Sequence, residues 1–250
     1  MPCSYHGVWF FIGAQRCNES HHSWRQEAVE VFSRGSCLWG HKGIIVAPRE
    51  KGMVLRMELF EAIEKRRSVR AFRRDPLRGG DLERILGSAI LAPSAGNLQP
   101  WSFVVSTTEV IKEALAEAAL NQEFIAEAPV VITVCAMEGR SAMRYSDRGV
   151  TLYCIQDTAA AIENMLLSAT ALGYGACWIG AFNEGDVRRI LNVPPMARPV
   201  ALIPVGVPGE EPQKTTRISL EAVLHHETYG GGRLLRRPIK RRSPPRTSGR

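Results

Sequence analysis

Apolar residues recur at helical spacing from position 59 onward. Leu59, Phe60 and Ile63 predict one face of a helix in MELFEAIEKRR, and Leu82, Ile85, Leu86, Ala89 and Ile90 predict a second helix, entered through Asp81 as its N-cap. WSFVVS (101–106) and PVVITVCA (129–136) are dense in β-branched residues and read as strands, with the helical EVIKEALAEAAL (109–120) between them. From 154 to 172, CIQDTAAAIENMLLSATAL carries apolar groups almost all round, at Ile155, Ala159, Ile162, Met165, Leu166 and Ala169. A helix with so little polar surface must be covered on several sides, at the centre of a layer or in a subunit interface. GACWIGAF (175–182) predicts a short apolar strand, EGDVRRILN (184–192) a helix and PVALIPVGV (199–207) a last strand. The alternation predicts a mixed domain without internal repeats, and it leaves the order of strands open.

Composition changes this picture mainly at the ends. A chain of 250 residues with 45% hydrophobic content can bury the core of one mixed domain or of two small ones. The formal charge of +7 suggests a nucleic-acid partner until it is divided along the chain. Positions 57–230 hold 17 Lys and Arg against 21 Asp and Glu, a charge of −4, whereas 1–56 hold 7 basic and 4 acidic groups and 231–250 hold 8 basic groups and no acid. The basic balance therefore belongs to the ends. GGRLLRRPIKRRSPPRTSGR, with few apolar residues, is expected to be a flexible basic tail, and because no aromatic side chain interleaves its charges, contact with nucleic acid is not expected of it.

Residues 1–56 are expected to be a poorly ordered extension, or to follow from a start codon assigned upstream of the true one at Met53 or Met57. GVWFFIGA is too short to span a bilayer and has no basic residue before it, so neither a membrane segment nor a secretory signal is predicted and a cytoplasmic location is expected. Cys3, His6, Cys17, His21, His22, Cys37 and His41 include zinc-ligand types, but no CxxC or HxxxH pair, and no metal site is predicted. Cys135, Cys154 and Cys177 sit in apolar surroundings and read as small core residues.

Four short stretches ask for a ligand. In KRRSVRAF, Arg66, Arg67 and Arg70 surround Ser68 at the end of the first helix; guanidinium forks and a hydroxyl suit a terminal phosphate. In APSAGNLQPW, Ser94, Asn97 and Gln99 give a loop donors and acceptors, and Gly96 admits close backbone approach. GYGACWIGAF brackets an apolar strand with Gly173, Gly175 and Gly180, so backbone N–H groups near Gly180 can face a ligand directly, although the spacing is not that of a dinucleotide fingerprint. Arg217 stands two residues before Ser219, a predicted N-cap, and is a further candidate phosphate ligand. His225 and His226 are neighbours, so they are expected on different sides of a helix as surface or interface residues.

In this order and spacing, the stretches resemble the FMN-dependent nitroreductase family over 57–230. The resemblance implies an α+β fold with a central, mostly antiparallel sheet flanked by helices, built as an intertwined homodimer with FMN at the subunit interface. It places the FMN phosphate on Arg66, Arg67, Ser68, Arg70 and Arg217. Pro93, Ser94, Asn97 and Gln99 would contact flavin from the other subunit, and backbone groups of Ile179, Gly180 and Ala181 would lie near flavin N5 and O4. It further implies that hydride passes from NADH or NADPH through flavin N5 to a nitroaromatic, quinone or similar planar acceptor in a ping-pong sequence, with no catalytic side chain. Gly180 stands where many members carry an acid. Thr215, not lysine, precedes Arg217 by two, with Lys214 one place away. The same scaffold serves flavin-fragmenting and dehalogenating enzymes, and a basic-tailed nucleic-acid-binding or scaffold protein is the alternative of another class.

Overall fold

The computed structural model of the chain describes residues 57–231. The N-terminal extension with its candidate zinc ligands, and the tail beyond Gly231, lie outside the described residues.

One antiparallel sheet organises the described residues. Its strands are β1 (Trp101–Ser106), β2 (Val130–Ala136), β3 (Gly175–Ala176) and β4 (Arg198–Gly206), in the order β1-β2-β4-β3. The helices are α1 (Leu59–Lys65), α2 (Asp81–Ala89), α3 (Glu109–Ala118), α4 (Phe124–Glu127), α5 (Glu138–Arg148), α6 (Cys154–Ala171), α7 (Glu184–Leu191) and α8 (Leu220–Val223), with a π-turn at Gly149–Tyr153 leading into α6. This is the α+β architecture expected.

Pairing runs from Trp101↔Ala136 to Ser106↔Val131 on one side of β2, and from Val130↔Val205 to Ala136↔Arg198 on the other, with a register shift between Val134 and Cys135. Every residue of β2 is buried, because both faces of the sheet are covered. Val130, Ile132 and Val134 share a cluster with Ile85 and Ala89 of α2 and Ile162 and Met165 of α6, whereas Val131 packs with Leu115 of α3, Ile125 of α4 and Val187 of α7. That explains a continuous apolar run where a half-exposed strand would alternate.

Helix α6 lies against several elements of its own chain, while Ile155, Ala159 and Leu167 remain half-buried. Its buried residues Cys154, Asp157, Thr158, Ala161, Ile162, Met165, Leu166 and Ala169 follow three- and four-residue spacing, a broad stripe set against α1, α2 and the sheet. Several local expectations change. The N-cap of α2 is Gly80, in the left-handed region at φ 83°, and Asp81 is already helical. The Asp81 carboxylate is instead committed to Tyr174, Arg78 and Arg84. GACWIGAF pairs as a strand only at Gly175–Ala176, with a single further bridge from Ile179 to Leu202. Helix α8 ends at Val223, so His225 and His226 lie beyond it.

The stretch after β2 gave no apolar rhythm, and it folds into a hairpin. Backbone angles of φ 47° and ψ −136° at Ser146 break α5, and the chain doubles back until Tyr145 and Tyr153 meet edge to face at 5.0 Å. Gly149 permits the reversal, since a Cβ there would stand 2.4 Å from the Ser141 carbonyl oxygen. Helix α1 buries only Ala62, while Leu59 and Phe60 are 61% and 78% exposed. Its expected apolar face thus has no cover among the described residues.

Candidate functional site

The basic segment is extended and lies between two edges of chain. Ser68 bridges to Ala176 in parallel, and the Val69 N–H donates to the Ala176 carbonyl at 3.1 Å. Further along, Phe72 bridges to Pro208, while the Arg73 N–H donates to Val207 and the Gly209 N–H to Ala71. Successive side chains of an extended segment point to opposite sides. Accordingly, Arg66, Ser68 and Arg70 share the side that faces Cys177. Burial pushes the Cys177 thiol up, against the opposing pull of the Arg70 charge, the Ser68 hydrogen bond and the Arg66 charge. Val69 points the other way and is buried against Gly175.

Arg67 is separated from that set by the same alternation. Its Nη1 donates to the carbonyls of Glu64 and Arg66, both at 2.7 Å, and it lines a cleft of about 700 Å³ with Lys65, Glu210 and Lys214. The Arg66 side chain lies 3.8 Å from Glu163 of α6, and the Arg70 backbone N–H donates to Glu210 Oε1 at 2.7 Å.

Next to this segment, the glycine-rich stretch ends in unused donors. Ile179 is buried, and its N–H and carbonyl exchange hydrogen bonds with Leu202, both at 3.0 Å. Beyond it, Gly180 and Ala181 are exposed, and no group among the described residues accepts from either N–H. A Cβ placed on Gly180 would meet nothing within 4 Å.

The loop with Pro93, Ser94, Asn97 and Gln99 is ordered from a different direction. The Ala95 N–H donates to both carboxylate oxygens of Asp157, at 3.1 and 3.2 Å, and the Gln99 N–H to Ser94 Oγ at 2.9 Å. Arg140 of α5 donates to the Gln99 carbonyl at 2.7 Å. Gly96, Asn97 and Gln99 have φ of 58°, 55° and 51°, and the Tyr145 hydroxyl would be 2.7 Å from a Cβ at Gly96. Among the described residues no hydrogen bond or ion pair joins this loop to Arg66–Arg70. Arg217 is also separate: it is exposed, and its Nη1 donates to Thr215 Oγ1 at 2.5 Å and the Thr216 carbonyl at 3.2 Å.

The structure therefore unites two of the four stretches, the basic segment and the glycine-rich one, and leaves the Pro-Ser loop and Arg217 apart within one chain. Sequence reading missed Asp157 and Glu210 as partners of these segments. A single acid on the inward stripe of an apolar helix was a usable signal for Asp157; nothing local marked Glu210. The united donors fit a phosphate-bearing cofactor: two guanidinium groups and a hydroxyl share one side, and two free N–H groups lie at the end of the adjoining stretch. Among the described residues, no three or more His, Cys, Asp or Glu are placed to hold a metal ion, and no helix is long and apolar enough to cross a membrane.

Comparison with known proteins converges on one family. The model described as Nitroreductase family matches residues 63–123 and 117–207. A Thermus thermophilus protein named NADH dehydrogenase is 35% identical over 188 residues, which takes in 64% of this chain and 91% of that protein. A Bacillus subtilis protein named FMN reductase [NAD(P)H] is 27% identical, over 69% of this chain and 74% of its own. Among solved structures, the NADPH:FMN oxidoreductase of Vibrio harveyi, complexed with NAD+, superposes with a TM-score of 0.64 at 26% identity, covering 70% of this chain and 80% of that one.

Proposed function

The chain belongs to the nitroreductase family, and from that premise we propose that it is an NAD(P)H-dependent FMN oxidoreductase acting on a small planar acceptor. FMN reduction with NAD(P)H is what the Bacillus relative is named for. The observation that carries the reading to this chain is the bridge from Ser68 to Ala176, which sets Arg66, Ser68 and Arg70 beside the stretch that ends in the free N–H groups of Gly180 and Ala181.

Each part of that surface has a role. Arg66, Ser68 and Arg70 hold the phosphate and so fix the register of the cofactor without entering the chemistry. Arg67 and Arg217 point elsewhere in the single chain and are outer phosphate contacts that turn inward on binding. The N–H groups of Gly180 and Ala181 stabilise negative charge on the ring edge they meet, as preorganised backbone dipoles do. When bound, FMN supplies the hydride chemistry, taking two electrons from NAD(P)H at one visit and delivering them to the acceptor at the next. A nitroaromatic or quinone fits the second visit because it is flat and takes up electron pairs. Donor and acceptor use one place in turn, which gives ping-pong kinetics.

The site is completed by a second copy of the chain. Pro93, Ser94, Asn97 and Gln99 do not meet the basic segment within one chain, and the apolar side chains of α1 have no cover among the described residues. An intertwined homodimer accounts for both.

The test is a visible absorbance spectrum of the purified full chain after incubation with FMN, followed by anaerobic addition of NADH and of NADPH. The expected result is a stoichiometric flavin band that a nicotinamide donor bleaches and that a quinone or nitroaromatic restores over repeated cycles. A protein that retains no FMN, or whose FMN neither donor reduces, overturns the reading. FMN consumed rather than recycled would assign the scaffold to flavin fragmentation instead.

A further inference from the structure

Asp157 is the only charged residue on the inward stripe of α6, and it is 7% exposed. Among the described residues no cation faces it. Its compensation is the Ala95 N–H, which both carboxylate oxygens share at 3.1 and 3.2 Å. Burial raises its pKa, and that hydrogen bond only partly opposes the rise. A buried carboxylate satisfied by one N–H is a poor choice for stability when an apolar residue would fill the same stripe.

What the carboxylate holds is a loop with one strained position. Gln99 lies in the left-handed region at φ 51°, which a long side chain adopts only when its surroundings enforce it, whereas Asn97, at 55°, is of a type that tolerates that region. Inside the loop the Asn97 N–H donates to the Ser94 carbonyl at 2.9 Å, the Leu98 N–H to the Ala95 carbonyl at 3.2 Å and the Gln99 N–H to Ser94 Oγ at 2.9 Å. From outside it is tied by Asp157, which accepts from the Ala95 N–H, and by the exposed Arg140, which donates to the Gln99 carbonyl. Asp157 is the tie rooted in the core.

We infer that Asp157 is a positioning residue for the flavin: acting through the Ala95 amide, it fixes the Ser94–Gln99 loop in the form that presents Ser94, Asn97 and Gln99 to the ligand. The inference rests on the proposed FMN function. It assigns Asp157 no contact with the cofactor and no proton transfer.

The test compares three variants of the full chain, Asp157→Ala, Asp157→Asn and Ala95→Pro. FMN affinity is read from quenching of free FMN fluorescence, and loop order from amide hydrogen exchange in the protein without FMN. Asp157→Ala is expected to weaken FMN binding about tenfold or more, as loss of a hydrogen bond to a charged group does. Asp157→Asn keeps an acceptor oxygen and should stay within about threefold of wild type. Ala95→Pro deletes the donor while leaving the core intact, and should follow Asp157→Ala; it also decides the matter if Asp157→Ala fails to fold. Exchange at Ala95–Gln99 should accelerate in Asp157→Ala while Val131–Val134 stay protected. Wild-type FMN affinity in Asp157→Ala or in Ala95→Pro, or unchanged loop exchange in Asp157→Ala, overturns the inference. A wild type that binds no FMN instead sinks the proposed function, and the exchange measurement then decides by itself whether Asp157 anchors the loop.

Discussion

Val69 closes over the α-carbon of Gly175: a Cβ built on that glycine would stand 2.7 Å from Val69 Cγ2 and 2.8 Å from Val69 Cβ. The contact sets how closely the basic segment approaches β3, and hence where Arg66, Ser68 and Arg70 stand. Gly175→Ala should destabilise the protein by about 1–3 kcal/mol, the usual cost of overpacking, and weaken FMN retention. Val69→Ala would leave the Cβ that stands 2.8 Å away, so Val69→Gly is the variant that clears the space, and in the same chain it should make the two losses less than additive. Urea unfolding of the two single variants and the double variant measures the coupling, and strict additivity would show that the contact does not set the spacing.

Alternation along the extended segment separates Arg70 from Arg67. Arg70→Ala should weaken FMN binding about ten- to hundredfold, the range for one charge-assisted hydrogen bond to phosphate. Arg67→Ala, whose side chain folds onto the Glu64 and Arg66 carbonyls, should cost less than Arg70→Ala. Equilibrium dialysis of FMN against both variants checks the order, and the reverse order would refute the assignment by sides.

Tyr174 donates to Asp81 Oδ2 at 2.9 Å and accepts from the Arg78 N–H at 2.9 Å, tying the start of α2 to the stretch before β3. Burial by itself would raise the Asp81 pKa, but hydrogen bonds from Tyr174 and Arg84 and the charge of Arg78 outweigh it and hold the carboxyl below its ordinary value. A carboxyl held low in the folded state adds stability that is complete above its unfolded pKa of about 3.9 and is lost as pH falls through the folded value. Tyr174→Phe should cost about 1–2 kcal/mol at neutral pH, with the difference from wild type shrinking below about pH 4. Thermal unfolding from neutral to acid pH reads this directly. A difference independent of pH would remove Asp81 from the explanation.

Phe60 is 78% exposed on a helix that buries only Ala62. In the proposed homodimer a second chain covers that face, so Phe60→Glu should give a monomer and lower FMN retention together, since the proposed site draws on both chains. Light scattering with flavin content checks it. A dimer with full flavin content would place the interface elsewhere.

Elements whose burial follows from their own composition were legible in the sequence. β1, β2, β4, α3, α6 and α7 lie close to where apolar rhythm put them, since a run such as VVITVCA has few ways to escape water other than a covered strand. The hairpin of α5 was not legible. GRSAMRYSDR lacks an apolar stripe, and what shapes it is a backbone reversal at Ser146 and the Gly149–Ser141 approach, which depend on neighbours rather than on local preference. Asp81 shows the same limit. As a residue at a helix start it reads as a cap, yet its partners come from Tyr174, far along the chain, and from two arginines beside it.

For the candidate site, the residue types were enough to indicate an anion and a planar ligand, because guanidinium groups, a hydroxyl, amides and glycine have fixed donor chemistry wherever they sit. Their grouping was decided by tertiary pairing. Ser68 finds Ala176 across the intervening α2, β1, β2 and α6, and the extended backbone this imposes puts Arg66 and Arg70 on one side and Arg67 on the other. Composition determines which interactions a side chain can make. Direction is set by the backbone, and the backbone of this segment is fixed by partners that lie outside its own sequence.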